Sequence, residues 1–151
     1  MPALALESLI APADVIVGAR AESARDVLAR LAGIGAARTG AAERAVLDAL
    51  VARERLGSTG VGHGVAIPHA RLSGIAALTG ALLRLAEPVE FAASDLLPCD
   101  LFVLLLAPAD AAGDHLKALA ALSRRLREPA VRAAMRAAPD AAALLTALTA
   151  G

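Results

Sequence analysis

The distribution of apolar residues near the N-terminus predicts a short strand followed by a helix. The β-branched residues at positions 15–17 favour the strand, and Gly18 would end it. The helix is predicted over residues 21–32, because its apolar positions recur at helical spacing. Those positions are Ala24, Val27, Leu28 and Leu31. The glycines within the next segment, 33–35, are predicted to stop this helix.

A second predicted helix carries an arginine on its apolar face. It follows Thr39, a suitable N-cap residue, and continues to about residue 56. Val46 and Leu50 share one face, and Arg53, three residues past Leu50, falls on that face too. A guanidinium placed there needs an anionic partner, or its long side chain must carry it out to solvent. The pattern leaves two interpretations open: a functional anion ligand, or a structural arginine that forms a buried ion pair or extends to solvent over the helix end.

Short apolar segments separated by glycine and proline predict strands in the middle of the chain. The continuous apolar run at residues 101–106 is typical of a central strand covered on both faces. The other predicted segments are a strand at 61–67 that ends at Pro68, a strand at 76–85, an edge strand at 88–91 and a loop at 96–98.

His115 falls in the apolar stripe of a later predicted helix. That helix covers residues 114–127, and Leu119 and Leu122 mark its buried face. His115 lies four residues before Leu119 and seven before Leu122, which places it on the same face, in the first turn. Its imidazole is therefore expected to point toward the interior.

Two shorter helices are predicted at the end of the chain, one starting at Pro129 and one over residues 141–148. Strands flanked by helices along the sequence indicate one α/β domain. The chain has 151 residues, which is enough for one substantial hydrophobic core.

Composition and charge exclude several classes of protein. Fifteen basic and fifteen acidic residues give a formal net charge of zero, and aromatic residues are scarce, so nucleic acid is not an expected partner. The longest apolar run, residues 101–109, covers about half of a membrane span, so no membrane insertion is expected. Cys99 is the only cysteine, which excludes an internal disulfide. Without a signal-peptide pattern at the N-terminus, we expect a cytoplasmic protein.

The candidate chemistry centres on His69, which follows a proline at a predicted strand end. A neutral imidazole is a nucleophile near neutral pH, and an arginine can clamp phosphoryl oxygens. We therefore hypothesise that Arg53 and His115 converge on His69 to form a site for phosphoryl transfer. The glycines whose backbone amides could bind phosphate, because no Cβ blocks the approach, are Gly60, Gly62 and Gly64.

Other chemistries fit the sequence less well. The glycine segment lacks the Gly-Lys-Ser/Thr ending of a P-loop and the full dinucleotide-binding spacing, and no Gly-x-Ser-x-Gly elbow is present. Zinc is the main chemical alternative, with His63, His69, Cys99 and His115 as potential ligands. No pair of them has the helical His-x-x-x-His spacing, so we expect neither a metal nor a cofactor. We expect His63 to be a surface-loop histidine and Cys99 to be a small buried hydrophobic residue.

Residues 56–72, LGSTGVGHGVAIPHARL, resemble the active-site motif of a known family. The family comprises enzyme IIA domains of the phosphoenolpyruvate-dependent phosphotransferase system, mannitol/fructose type, and the motif most resembles the nitrogen-regulatory branch. The likeness extends over about residues 6–148, with His63 as a departure where that branch often has asparagine. It implies a domain over residues 1–151 with a mixed parallel and antiparallel sheet flanked by helices on both faces.

The resemblance also implies roles for the candidate residues. His69 would be the phosphohistidine, charged by a histidine phosphocarrier protein, while His115 assists the phosphoryl group and Arg53 stabilises it. The protein would then be a regulatory phosphoryl carrier with protein targets, rather than a self-contained enzyme. The alternative is an enzyme IIA component of a fructose- or mannitol-type uptake system that passes phosphate to a separate enzyme IIB. A third hypothesis is a non-catalytic interaction domain with the same fold.

Overall fold

Within residues 6–93 and 95–150, which the computed structural model describes, one sheet of six strands is packed between five α-helices. The strands are β1 (Ile10–Ala19), β2 (Gly60–Gly62), β3 (Val65–Ala66), β4 (His69–Leu72), β5 (Thr79–Val89) and β6 (Cys99–Pro108). The helices are α1 (Ala24–Thr39), α2 (Glu43–Arg55), α3 (Ala112–Arg127), α4 (Pro129–Ala137) and α5 (Ala141–Thr149).

Strand β6 lies at the centre of the sheet. The strand order is β1-β5-β6-β3-β2. Strand β3 pairs with Leu101 and Phe102 of β6, and β4 pairs with β6 further along, from Leu105 to Pro108. The pairs β1–β5, β3–β6 and β4–β6 are parallel, whereas β5–β6 and β2–β3 are antiparallel, so the expected mixed sheet is confirmed. Residues 101–107 are all 0% exposed, which confirms the predicted central strand. Cover on both faces explains its continuous apolar sequence.

Helices cover both faces of the sheet, as expected. One face packs against α1 and α2, and the other packs against α3, α4 and α5. Side chains of β6 contribute to the hydrophobic layers on both faces of the sheet, because successive side chains of a strand point to opposite faces. Phe102, Leu104 and Leu106 belong to the first layer, and Leu101, Val103 and Leu105 belong to the second.

The prediction that the first helix stops at residues 33–35 is wrong, because α1 continues through them. Gly35 faces the sheet, and a Cβ there would lie 2.7 Å from Cδ1 of Leu106. The glycine thus allows close packing of helix on sheet instead of ending the helix. The helix ends at Gly40, which adopts the left-handed conformation with φ 80°. Thr39 is the last residue of α1 and not the N-cap of the second helix.

Residues 61–67 form a hairpin instead of the single predicted strand. Strands β2 and β3 pair in antiparallel fashion, and His63 and Gly64 form the turn between them. Both turn residues have positive φ, 57° and 78°, which suits the twist of a two-residue hairpin. After β3, which already pairs with β6, the chain pairs with β6 again further along, so His69 begins β4 and does not end a strand.

The other strand predictions differ from the structure at their ends. Strand β1 extends well beyond residues 15–17 and passes through Gly18, where its register against β5 shifts. Gly18 therefore marks an irregularity of the bulge type and not a strand end. Strand β5 begins at Thr79, and the predicted edge strand at 88–91 is in part the end of β5.

Candidate functional site: two histidines and two arginines around one pocket

A pocket of about 650 Å³ lies where α2, β4 and the start of α3 meet. His69 lines it from β4, Arg53 from α2 and His115 from α3. The two imidazole rings are in edge contact, with centroids 5.3 Å apart and planes at 67°. Arg53 and His115, which periodicity placed on inward faces, therefore converge here with His69, which is far from His115 in the sequence.

The hydrogen bonds of His69 determine which nitrogen carries its proton. Nδ1 lies 2.7 Å from the carbonyl oxygen of Ile67. A carbonyl can only accept, so Nδ1 is the protonated nitrogen and donates this bond. Nε2 then holds the lone pair, and it accepts a hydrogen bond from Nε of Arg53 at 3.1 Å. The nucleophilic nitrogen of the ring is thus Nε2.

The surroundings of His69 favour its neutral form. Burial lowers the pKa of His69 and is the largest effect; the hydrogen bond to the Ile67 carbonyl raises the pKa, the charge of Arg53 lowers it again, and the Glu54 carboxylate has the smallest, opposing effect. The net pKa lies below the usual value for histidine, so the ring is neutral at pH 7 and its lone pair is available.

His115 offers an unused polar atom beside His69. Its Nε2 is buried and has no hydrogen-bond partner within the part of the chain that the structure describes. Burial lowers the pKa of His115, and the neighbouring His69 and Arg71 act in the same direction. Buried polar atoms are nearly always hydrogen-bonded, so an orphaned nitrogen next to a pocket points to a bond made only when a ligand is present.

The first turn of α3 borders the pocket and has no side-chain cap. Ala111 is its N-cap residue and provides no side-chain cap, and Ala112 lines the pocket. The first amides of a helix lack intrahelical partners and attract anions.

A hydrogen bond just after the C-terminal end of α2 fixes the side chain of Arg53. Its Nη1 donates to the carbonyl oxygen of Gly57 at 2.8 Å. The adjacent Glu54 accepts hydrogen bonds from the amide of Thr59, at 3.0 Å, and from the Thr59 hydroxyl, which fixes the loop that carries Gly57. Among the described residues Arg53 forms no ion pair with a carboxylate. The structural ion pair considered from the sequence is therefore not what this arginine forms.

Sequence reasoning missed one charged residue of the pocket, Arg71. It lies two positions after His69 on β4, so both side chains project from the same face of the strand. Arg71 lines the pocket and its side chain is exposed. The His-x-Arg spacing puts both side chains on one face only if the two residues lie in a strand, and the sequence did not predict that residue 69 begins a strand.

The three candidate glycines do not line this pocket. They belong to the β2–β3 hairpin, whose end pairs with Leu101, whereas His69 pairs with Leu105, about 13 Å further along β6 at strand spacing. Close packing explains why two of these positions are occupied by glycine. A Cβ on Gly60 would lie 2.8 Å from the Cβ of Ala93, and one on Gly64 would lie 2.6 Å from Nη2 of Arg136. Gly62 has a positive φ of 92°.

The potential zinc ligands are also dispersed. His63 is exposed at the hairpin turn and Cys99 is buried at the start of β6, both away from the pocket. No group of three or more His, Cys, Asp or Glu side chains in the described ranges is arranged to hold a metal ion. None of the helices described is both long and apolar enough to span a membrane.

Comparison with known proteins gives a consistent set of relatives. Residues 8–151 match the family described as phosphoenolpyruvate-dependent sugar phosphotransferase system, EIIA 2. A nitrogen regulatory protein of Bradyrhizobium diazoefficiens is 42% identical over 143 residues, which cover 95% of this chain and 94% of that protein. The fructose-specific EIIA component of Haloferax volcanii is 46% identical over 88 residues, covering 58% of this chain and 57% of that protein.

A solved structure agrees with this assignment. The nitrogen regulatory protein IIA-Ntr from Neisseria meningitidis superimposes with a TM-score of 0.91 at 31% identity, covering 95% of this chain and 99% of that one. The chain therefore belongs to the EIIA 2 family of the phosphoenolpyruvate-dependent sugar phosphotransferase system and resembles its nitrogen regulatory members.

Proposed function

We propose that this protein is a regulatory phosphoryl carrier that accepts a phosphoryl group on Nε2 of His69 from a histidine phosphocarrier protein. The observation that carries the proposal is the 2.7 Å hydrogen bond from Nδ1 to the Ile67 carbonyl, which leaves the lone pair on Nε2 beside an open pocket. The acting unit is the domain over residues 1–151, and it works in the cytoplasm without a cofactor.

The transfer step follows from the state of the ring. The hydrogen bond from Nε of Arg53 to Nε2 is released, the lone pair of Nε2 attacks the phosphorus of the donor's phosphohistidine, and a new nitrogen–phosphorus bond forms. The donor's nitrogen–phosphorus bond breaks at the same time, and its electron pair stays on the donor imidazole. Positive charge develops on the His69 ring as Nε2 gives up its lone pair, and the Ile67 carbonyl stabilises that charge through the Nδ1 proton.

Arg53 and His115 stabilise the arriving group. The guanidinium of Arg53 already donates to Nε2, so it lies within reach of oxygens bonded to a phosphorus on that nitrogen. The unpartnered Nε2 of His115, when protonated, can donate to one of the same oxygens. Electrostatic stabilisation by fixed donors is the main requirement of phosphoryl transfer.

Two leucines give the pocket an apolar rim on which a protein donor can dock. Leu56 is 84% exposed and Leu116 is 70% exposed, and both line the pocket that contains His69. Large exposed apolar side chains around a reactive group are typical of a protein contact site. A donor must bring its own histidine to Nε2, so a docking surface around the pocket is a requirement of this function.

The proposed regulation is a change of binding partners with the phosphorylation state. A phosphoryl group brings up to two negative charges to a pocket whose side chains are neutral or positive, so it alters the surface that partners contact. The likeness to nitrogen regulatory proteins over nearly the whole chain favours regulatory protein targets.

The test of the proposal is labelling from phosphoenolpyruvate through the upstream carriers of the system, followed by intact-mass measurement. We expect the wild-type chain to gain one acid-labile phosphoryl group. His69→Gln should gain none, whereas His63→Gln, the matched control on the exposed hairpin, should be labelled like the wild type. An unlabelled wild type, or a labelled His69→Gln variant, would refute the assignment.

The second candidate function is an enzyme IIA component of a sugar uptake system. The shorter but strong likeness to the fructose-specific component of Haloferax volcanii favours it. It predicts that the phosphorylated protein passes its phosphoryl group to an enzyme IIB of the fructose or mannitol type. Rapid transfer to such a partner supports this alternative, and the absence of transfer leaves the regulatory role.

A further inference from the structure

A second guanidinium lies beside His69 on the same strand. Arg71 follows His69 by two positions on β4, which puts their Cα atoms about 6.6 Å apart and their side chains on one face. Parallel pairing with β6 fixes both positions, with His69 opposite Leu105 and Arg71 opposite Ala107. The placement of Arg71 therefore belongs to the sheet and not to a flexible loop.

Arg71 is the free cation of the pocket. Within the described chain its side chain forms no hydrogen bond and no ion pair, whereas Arg53 already donates to His69 and Gly57. Its charge reaches the pocket, because it lowers the pKa of His115. The guanidinium thus has all its donors available to an incoming group.

The charge of the pocket matches that of a phosphoryl group. Its lining includes Arg53 and Arg71 but, among the described residues, no Asp or Glu. Both histidines have lowered pKa values and contribute no charge at neutral pH. Two positive charges therefore face the position at which a phosphoryl group with up to two negative charges would sit.

We propose that Arg71 is a phosphoryl-binding residue that donates, together with Arg53, to the oxygens of phosphorylated His69. This proposal rests on the proposed function and adds one phosphoryl-binding residue to the same site. Arg53 donates to Nε2 before the reaction and must share its donors with the Gly57 carbonyl, whereas Arg71 is free to complete the coordination of the oxygens.

The test uses phosphoramidate, a small donor that replaces the protein donor. Nε2 attacks its phosphorus, the nitrogen–phosphorus bond of the reagent breaks, and ammonia leaves. The phosphorylated wild type, Arg71→Gln and Arg71→Lys are then compared by ³¹P NMR titration of the phosphoryl group and by the rate at which the label is lost. Arg55→Gln is the matched control, because Arg55 is exposed on α2 and does not line the pocket.

We expect Arg71→Gln to raise the pKa of the phosphoryl group, because one cation that favours the dianion is gone. The label should also be lost at least about tenfold faster, as for the loss of one hydrogen bond to a charged group. Arg71→Lys, which keeps the charge, should restore most of the titration, and Arg55→Gln should match the wild type.

Three results would overturn the proposal, and they are distinguishable. An Arg71→Gln variant that titrates and loses its label like the wild type excludes a bond to the phosphoryl group. The same result combined with slow labelling from the protein donor alone would make Arg71 a contact for that donor instead. Failure of both phosphoramidate and the protein donor to label His69 in the wild type would remove the proposed function and this proposal together.

Discussion

At the scale of single residues, the environment of His69 decides what the side chain can do. An imidazole in water exchanges between two neutral tautomers and a cation. Here the Ile67 carbonyl fixes the proton on Nδ1, and burial disfavours the cation. The ring is therefore prepared for attack through Nε2 before any donor arrives.

The same burial predicts a loss of stability in acid. The folded-state pKa values of His69 and His115 are both lowered, so between those values and about 6.5 the unfolded chain binds more protons than the folded one. The contribution of each histidine is fully present above about pH 6.5 and is lost as the pH falls through its folded-state pKa. Denaturant unfolding at a series of pH values should show the free energy of unfolding falling below pH 6.5.

The variant His115→Gln provides the check on that prediction. It removes one of the two titrating groups, so its unfolding free energy should depend less steeply on pH in this range than that of the wild type. An equal slope in both proteins would show that other groups cause the acid sensitivity. Resolved NMR titrations of the two imidazoles should give pKa values below 6.5.

At the scale of elements, glycines in one helix have opposite roles. Gly33 and Gly35 both lie inside α1. A Cβ on Gly35 would lie 2.7 Å from Leu106 in the core, whereas a Cβ on Gly33 would meet only the flexible end of Glu43, at 3.2 Å. Each glycine is flanked by one alanine and one isoleucine, so the residue types of its neighbours do not distinguish it, whereas the packing of α1 on the sheet does.

This difference predicts opposite effects of the same substitution. Gly35→Ala should lower the free energy of unfolding by about 1–3 kcal/mol, because it overpacks the core. Gly33→Ala should raise it by up to about 1 kcal/mol, because alanine favours the helix. Chemical denaturation of the two variants checks both signs, and equal effects would contradict the close approach of Gly35 to β6.

Arginines close the C-terminal ends of the three helices on the second face of the sheet. Arg132 donates to carbonyl groups at the end of α3, Arg84 to those at the end of α4, and Arg125 to those at the end of α5. The last carbonyl groups of a helix have no intrahelical donors, and a cation there also interacts favourably with the helix dipole.

The cap made by Arg132 should contribute measurably to stability. Its side chain is buried, and Nη1 donates to the carbonyl oxygens of Leu126 at 3.0 Å and Arg127 at 2.8 Å. Arg132→Leu keeps apolar volume but removes both donors, so it should cost about 1–3 kcal/mol of unfolding free energy. Arg124→Gln, on the exposed side of α3, is the control and should change stability little.

At the scale of the whole molecule, highly exposed leucines lie both beside the pocket of His69 and away from it. Leu56 and Leu116 border the pocket of His69, while Leu96, which is 82% exposed, lies in the loop before β6 and outside that pocket. High exposure combined with different location makes Leu116 and Leu96 a suitable pair for testing where the donor docks.

We expect Leu116→Asp to raise the KM for the phosphorylated carrier protein by about tenfold, because a charge replaces an apolar contact in the interface. Labelling by phosphoramidate should be unchanged, since that reagent needs no docking surface. Leu96→Asp, with the same change of charge at a distant exposed position, should leave the KM unaltered. Equal effects of both substitutions would indicate a general electrostatic effect and not a docking site.

The structure also explains which parts of the fold could be predicted. Strand β6 and the inward face of α2 follow from the run at residues 101–106 and from Val46, Leu50 and Arg53, because burial leaves a periodic trace in the sequence. The hairpin at residues 61–67 could not be recognised, because its turn, His63–Gly64, is not one of the common hairpin dipeptides.

By itself, the sequence determined that His69 is the candidate reactive residue and that Arg53 and His115 point inward, since periodicity within one element reports which side chains face the core. Only the tertiary structure decided that these side chains meet at His69, that Arg71 joins them, and that Gly60, Gly62 and Gly64 do not. The physical reason is that parallel pairing of β4 with β6, and the packing of α2 and α3 around β4, set distances between segments that no local pattern encodes.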